Sequence, residues 1–130
     1  MRIHELNKVR DITLALPEVN EKKSYGGAIW FFLPNKKTIC YFHDNYMGDC
    51  RVVLWCPAYS DLKKDLIRNK PEQFFQPYTS SAGHFSKWLG IYLDTTDENS
   101  VDWKLLSKIL EDSYRKVAPK RLINKLELND

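Results

Sequence analysis

Three strand-length segments in a row, rich in aromatic and β-branched residues, constrain the fold of this chain more than any other feature. They are residues 28–33, 38–43 and 51–56, and each is too short and too aromatic for a helix. Pro34 to Lys37 has the composition of a tight turn, and Asp44 to Asp49, with Gly48, that of a looser loop. Strands joined by such short connections pair antiparallel, so this region predicts a three-stranded meander.

Helical periodicity lies on both sides of these strands. Apolar residues recur at three- and four-residue steps from Ile3 to Leu16, which predicts a first amphipathic helix. The clearest stripe of this kind runs from Trp103 to Val117, with Asp102 as the predicted N-cap. Pro119 suits the first turn of a further short helix, from Lys120 to about Leu126.

The region between these parts carries shorter signals. Ser60 suits the N-cap of a short helix that Asn69-Lys70-Pro71 ends. Residues 71–75 are predicted to form a turn that carries Phe74 and Phe75 into the core. Tyr78 and Thr79 are expected to begin another strand, and residues 87–93 have the composition of the last one.

The charged residues from Glu18 to Lys23 are expected to form only a link. The whole pattern then predicts an α+β fold, with an antiparallel sheet of about five strands and helices packed on one face. Its element order is α-β-β-β-α-β-β-α plus a short C-terminal helix. At 130 residues, the chain is expected to form a single domain over residues 1–130.

Composition indicates a cytoplasmic protein that does not contact membranes. No apolar run approaches the roughly 18 residues of a membrane span, and no signal peptide is recognisable. Cys40, Cys50 and Cys56 are odd in number and lack CxxC spacing, so they are predicted to be reduced thiols in the core.

The sequence carries no catalytic signature, so the chain is predicted not to be an enzyme and to hold no cofactor. Cys40, His43 and Asp44 come nearest to a metal site, but an offset of three along a strand sends Cys40 and His43 to opposite faces. A buried thiol and a strand-end imidazole are therefore expected. His84, in a polar loop, is more consistent with an exposed side chain than with an acid or base.

Basic residues are the remaining candidates for function. The net charge of +3 does not by itself indicate a nucleic-acid binder. Lysines and one arginine nevertheless surround the predicted strands, at Lys22, Lys23, Lys36, Lys37, Arg51 and Lys87. If they project together they form a surface for phosphates, with exposed Tyr or Trp for stacking. The alternative is that they are solvated lysines that protect hairpin tips and sheet edges.

The aromatic residues are best explained as core. One or two could be exposed for binding, but most are expected to cover the helices; the largest are Trp30, Phe31, Phe32, Trp55, Trp88 and Trp103.

Several segments together resemble the YjbR/MmcQ family over nearly the whole chain. The opening motif is Leu16-Pro17-Glu18-Val19-Asn20-Glu21, followed by Gly26 and an aromatic strand. Later motifs are Pro71-Glu72-Gln73-Phe74-Phe75 and Trp88-Leu89-Gly90. The most specific one runs from Val101-Asp102-Trp103 to Tyr114 and on to Ala118-Pro119-Lys120-Arg121-Leu122. The chain departs from the family between Pro77-Tyr78 and Trp88, where members commonly have a shorter, glycine-rich turn.

The resemblance implies helices packed on one antiparallel sheet, an architecture related to secretion chaperones and compared with "double wing" DNA-binding domains. The leading hypothesis is accordingly a non-enzymatic, sequence-tolerant DNA-binding module. Its predicted nucleic-acid-binding residues are Lys22, Lys23, Lys36, Lys37 and Lys87, with Arg115, Lys120 and Arg121 as a second basic group. The alternative hypothesis is a protein-interaction module that binds a peptide or a second copy of itself.

Overall fold

The computed structural model describes residues 3–24, 27–32, 37–79, 83–94 and 101–128. It contains an antiparallel sheet and four helices, in the order α1-β1-β2-β3-β4-α2-β5-β6-α3-α4. The helices are α1 (Ile3–Leu14), α2 (Ser60–Asn69), α3 (Trp103–Val117) and α4 (Lys120–Leu128). The strands are β1 (Val19–Ser24), β2 (Gly27–Phe32), β3 (Thr38–Asp44), β4 (Val52–Pro57), β5 (Phe74–Phe75) and β6 (Trp88–Tyr92).

The sheet has six strands in the order β1-β2-β3-β4-β6-β5, and every pairing is antiparallel. The predicted α+β class, the central β2-β3-β4 meander and the order of the elements after it are confirmed. Two expectations about strands were wrong. Residues Glu18 to Lys23 are largely strand β1, and the strand predicted at Tyr78 is instead the two-residue β5, which pairs with β6.

Strand β1 looks like a link in the sequence because its exposed side chains are charged. Its backbone pairs with β2 along its whole length, from Val19 opposite Phe32 to Ser24 opposite Gly27. Glu21 faces inward, where its carboxylate accepts hydrogen bonds from Trp30 Nε1 at 2.9 Å and from Arg10 at 2.8 Å. Charged residues are typical of an edge strand, because they discourage pairing with another chain.

All four helices pack on one face of the sheet. The core there joins alternate residues of each strand, such as Trp30, Phe42 and Leu54, to helix residues such as Val9 and Leu110. Helix α3 begins as predicted, since the Asp102 carboxylate accepts from the backbone N–H groups of Lys104 and Leu105, both at 3.1 Å. Capping supplies partners for N–H groups that a helix start leaves without any.

The opposite face of the sheet is also aromatic, and we call it the aromatic face. It is formed by the intervening strand residues Ile29, Phe31, Tyr41, His43, Val53, Trp55, Trp88 and Tyr92. Two side chains from outside the sheet pack onto it: the Tyr46 ring lies 5.0 Å from Trp55, and the Phe85 ring lies 5.1 Å from Trp55. The sheet therefore buries rings on both sides, although its helices lie on one.

Smaller corrections concern single residues. Helix α1 ends at Leu14, two residues before its predicted end, and the N-cap of α2 is Tyr59 rather than Ser60. Phe75 lies on the aromatic face, over the backbone of Gly90, where no side chain larger than hydrogen would fit. Cys50 is exposed, whereas Cys40 and Cys56 are buried free thiols as predicted. The predicted turn at Pro34 to Lys36 lies outside the described residues.

Candidate nucleic-acid interface

Five lysines belong to one end of the sheet, where β3 begins and β4 ends. They are Lys37, Lys63, Lys87, Lys116 and Lys120, and we call this region the basic end. At this end the Phe32 N–H donates to the Lys37 carbonyl (3.0 Å), which joins the end of β2 to the start of β3. The Ala58 N–H donates to the Lys87 carbonyl (3.2 Å), which joins the end of β4 to the start of β6.

Helix α3 brings its C-terminal turns to the same end of the sheet. The Ser113 hydroxyl donates to the carbonyl of Pro57 at 2.5 Å, and the Tyr114 hydroxyl donates to the carbonyl of Pro17 at 2.8 Å. Lys116 lies in the last turn of α3, and Lys120 begins α4. The backbone that carries both basic residues is therefore positioned by contacts of the buried Ser113 and Tyr114 side chains.

A cleft of about 300 Å3 opens at the basic end. It lies between the end of β4, the first turn of α2, the turn before β6 and the last turn of α3. Three of the lysines, Lys63, Lys87 and Lys116, line it together with Tyr59, Ser60 and Ser86.

Neutral groups orient two of these cleft lysines. Lys63 Nζ donates to the Ser86 carbonyl at 2.6 Å, and Lys116 Nζ lies 4.9 Å from the centre of the Tyr59 ring. Partial burial lowers the pKa of Lys63. Among the described residues, no carboxylate is within ion-pair distance of Lys63, Lys87, Lys116 or Lys120. The positive charge of the cleft is therefore not compensated locally.

The lysines predicted on β1 do not belong to this end. Lys22 and Lys23 are exposed and lie opposite Ile29 and Ala28, three and four positions along β2 from Phe32. Lys22 faces the aromatic face, with Nζ 5.6 Å from the centre of the Phe31 ring. Lys36 lies outside the described residues. Of the five strand-associated lysines predicted for binding, Lys37 and Lys87 are brought to the basic end.

The predicted second basic group is divided by ion pairs. Arg115 contacts Glu127 at 3.0 Å and Glu111 at 3.6 Å. Arg121 contacts Glu18 at 2.7 Å, and its hydrogen bond to that carboxylate lowers the pKa of Glu18. Lys120, between them, is exposed and has no carboxylate partner in the described part of the chain. The two arginines thus carry largely compensated charge, and Lys120 does not.

Sequence reasoning missed Lys63 and Lys116 as site residues. Lys63 appears as one of several charged residues on a short helix, and Lys116 as part of the basic segment that follows Arg115. No spacing in the sequence links them, because the cleft forms only when α2 and α3 pack on the same end of the sheet.

Two aspartates lie at the opposite end of the central strands. Asp44 ends β3, and Asp94 follows β6 and accepts from the Val52 backbone N–H at 3.0 Å. Arg51 compensates part of that charge, because its guanidinium contacts Asp94 at 2.9 Å. The central strands β3, β4 and β6 therefore have lysines at one end and two aspartates at the other, where Arg51 pairs with Asp94.

The candidate metal and catalytic residues of the sequence lie apart from one another in the described structure. The described part of the chain brings together no group of three His, Cys, Asp or Glu side chains that could hold a metal ion. Cys40 and His43 face opposite sides of the sheet, as predicted from strand geometry. His84 is exposed. No helix in the described ranges is long and apolar enough to cross a bilayer.

Comparison with known proteins identifies the fold. No family model matches the sequence, and no curated protein matches it. Among solved structures, the chain is similar to Deinococcus radiodurans protein DR2400, whose domain is described as DUF419. The TM-score is 0.70 and the identity 16%, over 93% of this chain and 86% of that one. At this identity the similarity establishes a shared fold: the chain has the fold of a DUF419 protein.

Proposed function

We propose that the protein is a member of the YjbR/MmcQ family and a non-enzymatic, sequence-tolerant DNA-binding module that acts through its basic end. The observation that carries this proposal is a set of four lysines that have no carboxylate partner among the described residues: Lys63, Lys87, Lys116 and Lys120. Lysine ammonium groups contact phosphates without reading bases, so such a surface favours affinity over sequence specificity.

The position of the lysines at one end of the central strands supports the same proposal. A polyanion approaching the molecule is attracted to the lysines of the cleft, which have no carboxylate partner in the described part of the chain. The proposal therefore includes a preferred orientation on DNA, with the ends of β3 and β4 that carry the lysines toward the phosphates. The buried thiols of Cys40 and Cys56 are consistent with a cytoplasmic location, which we include in the proposal.

The alternative hypothesis, a protein-interaction module, needs an apolar surface that water reaches. The aromatic face is the candidate. Its centre is covered, since Trp55 is 4% exposed and Val53 2%. The residues around that centre are part-exposed: Ile29, Phe31, Tyr41, Trp88 and Tyr92. No contact of this face favours a peptide or a second copy of the chain over solvent. The alternative stays a prediction, and the oligomeric state in solution tests it.

The first prediction concerns salt. With about four lysine-phosphate contacts, the binding constant for a short duplex should fall about 100-fold between about 50 mM and about 200 mM salt. Substituting Lys63, Lys87 and Lys116 together by Gln should weaken binding and make the salt dependence shallower by roughly one unit of slope per lysine. Fluorescence anisotropy of a labelled duplex measures both quantities.

The matched control changes the net charge equally at lysines outside the basic end. K8Q/K104Q/K108Q removes three positive charges from α1 and α3 and should leave the slope unchanged. A second comparison, K22Q/K23Q, tests the predicted contribution of β1. Absence of duplex binding at low salt would refute the proposal, as would equal losses in the two triple variants.

A further inference from the structure

The cleft at the basic end is concave, whereas contact with the phosphates of a duplex requires only a flat surface. A volume of about 300 Å3 is at the lower bound of small-molecule sites. The phosphodiesters of a duplex form a ridge that a flat lysine surface can follow. A concave site is better suited to a group that projects from its carrier and enters the cleft.

The charge inside the cleft exceeds what one phosphodiester supplies. Lys63, Lys87 and Lys116 contribute three ammonium groups, whereas a phosphodiester has one negative charge. A phosphate monoester carries between −1.5 and −2 at neutral pH and offers three terminal oxygens. Three cations around three oxygens is the better electrostatic and geometric match.

The contacts of the cleft lysines Lys63 and Lys116 leave some of their ammonium N–H donors available to a ligand. An ammonium group has three donors, and the Ser86 carbonyl occupies one of those of Lys63. The Tyr59 ring contacts Lys116 through its π face and accepts no conventional hydrogen bond. The acids nearest in sequence form no ion pair with the three lysines: Asp61 and Asp65 on α2, of which Asp65 contacts Arg68, and Asp112 on α3.

Tyr59 adds an apolar surface at the rim. Its side chain is 48% exposed and adjoins the lysines, so the sugar or base that carries a phosphate can pack against it. We propose that this cleft binds a phosphate monoester group, through Lys63, Lys87 and Lys116. The phosphate monoester that we assign to the cleft is the 5′-phosphorylated end of a DNA strand. This choice of ligand rests on the proposed DNA-binding function.

The experiment compares two oligonucleotides that differ only in a 5′-phosphate or a 5′-hydroxyl. The full chain should bind the phosphorylated one at least about tenfold more tightly. K63Q/K87Q/K116Q should abolish that preference, and K8Q/K104Q/K108Q should retain it. The preference should also decline below about pH 6, where the monoester dianion takes up a proton and becomes a monoanion. Equal binding of the two oligonucleotides would overturn the proposal, and so would a preference that survives in K63Q/K87Q/K116Q.

A second measurement separates this proposal from the DNA-binding function. Inorganic phosphate is titrated at constant ionic strength while backbone amide shifts are followed by NMR. Shifts confined to Ser60, Lys63, Ser86 and their neighbours support the site even if neither oligonucleotide binds, in which case DNA binding fails and a free phosphate monoester is the ligand. If the oligonucleotides bind without a 5′-phosphate preference and phosphate causes none of these shifts, the protein binds DNA but the cleft does not bind a phosphate monoester.

Discussion

At the scale of single residues, His43 is the most unusual side chain in the structure. It is 7% exposed, it stacks with Tyr41 and contacts Tyr46 and Trp55, and neither ring nitrogen has a hydrogen-bond partner within the described ranges. Burial lowers its pKa to about 4, against a smaller opposing effect of the Asp49 charge. The imidazole is therefore neutral in the folded protein at physiological pH, and it serves as an aromatic packing group.

This lowered pKa predicts a loss of stability in mild acid. Because the unfolded chain binds the proton near pH 6.5 and the folded chain only near pH 4, the stabilisation is complete above about pH 6.5 and is lost as the pH falls toward 4. From pH 7.5 to pH 5 the free energy of unfolding should fall by about 2 kcal/mol. Urea denaturation of His43→Phe should show a much smaller fall in the free energy of unfolding over this pH range. The control variant His84→Ala should show the same fall as the unmodified protein. A pH dependence unchanged in His43→Phe would contradict this account.

At the scale of elements, the sequence predicted best those segments whose hydrophobic period matched their environment. Helix α3 has one buried stripe and a capping carboxylate, so both its period and its start were readable. The prediction for β1 was wrong because the polarity of its residues alone suggested a link. Its backbone pairing with β2 and the inward position of Glu21 arise only in the folded sheet. The same limit applies to the basic end, whose lysines come from separate elements.

The α3 cap gives a prediction for an element. Replacing Asp102 by Ala removes the acceptor for the Lys104 and Leu105 N–H groups and should lower the free energy of unfolding by about 1 kcal/mol. Asn is an equally good N-cap, so Asp102→Asn should retain most of the stability. Chemical denaturation compares the two. An equal loss in both variants would mean that the carboxylate charge, and not the hydrogen bonds, supports the helix start.

At the scale of the whole molecule, the sheet separates two layers of buried side chains. Trp30 and Leu54 belong to the layer beneath the helices, whereas Val53 and Trp55 are buried outside that core cluster, on the aromatic face. Neighbouring residues of β4 therefore belong to different layers. Every central strand contributes side chains to both layers. Loss of packing in either layer therefore disturbs the backbone pairing between strands on which the other layer also depends.

This shared backbone predicts a single cooperative unfolding transition. Leu54→Ala should cost about 3 kcal/mol and Val53→Ala about 2 kcal/mol, and both should lower the denaturation midpoint without changing the m-value. Fluorescence of single-tryptophan variants that retain Trp30 or Trp55 reports on each layer separately. Coincident transitions support one unit. If Val53→Ala shifts the Trp55 transition to lower denaturant and leaves that of Trp30 in place, the aromatic face unfolds independently and the two layers are not coupled through β4.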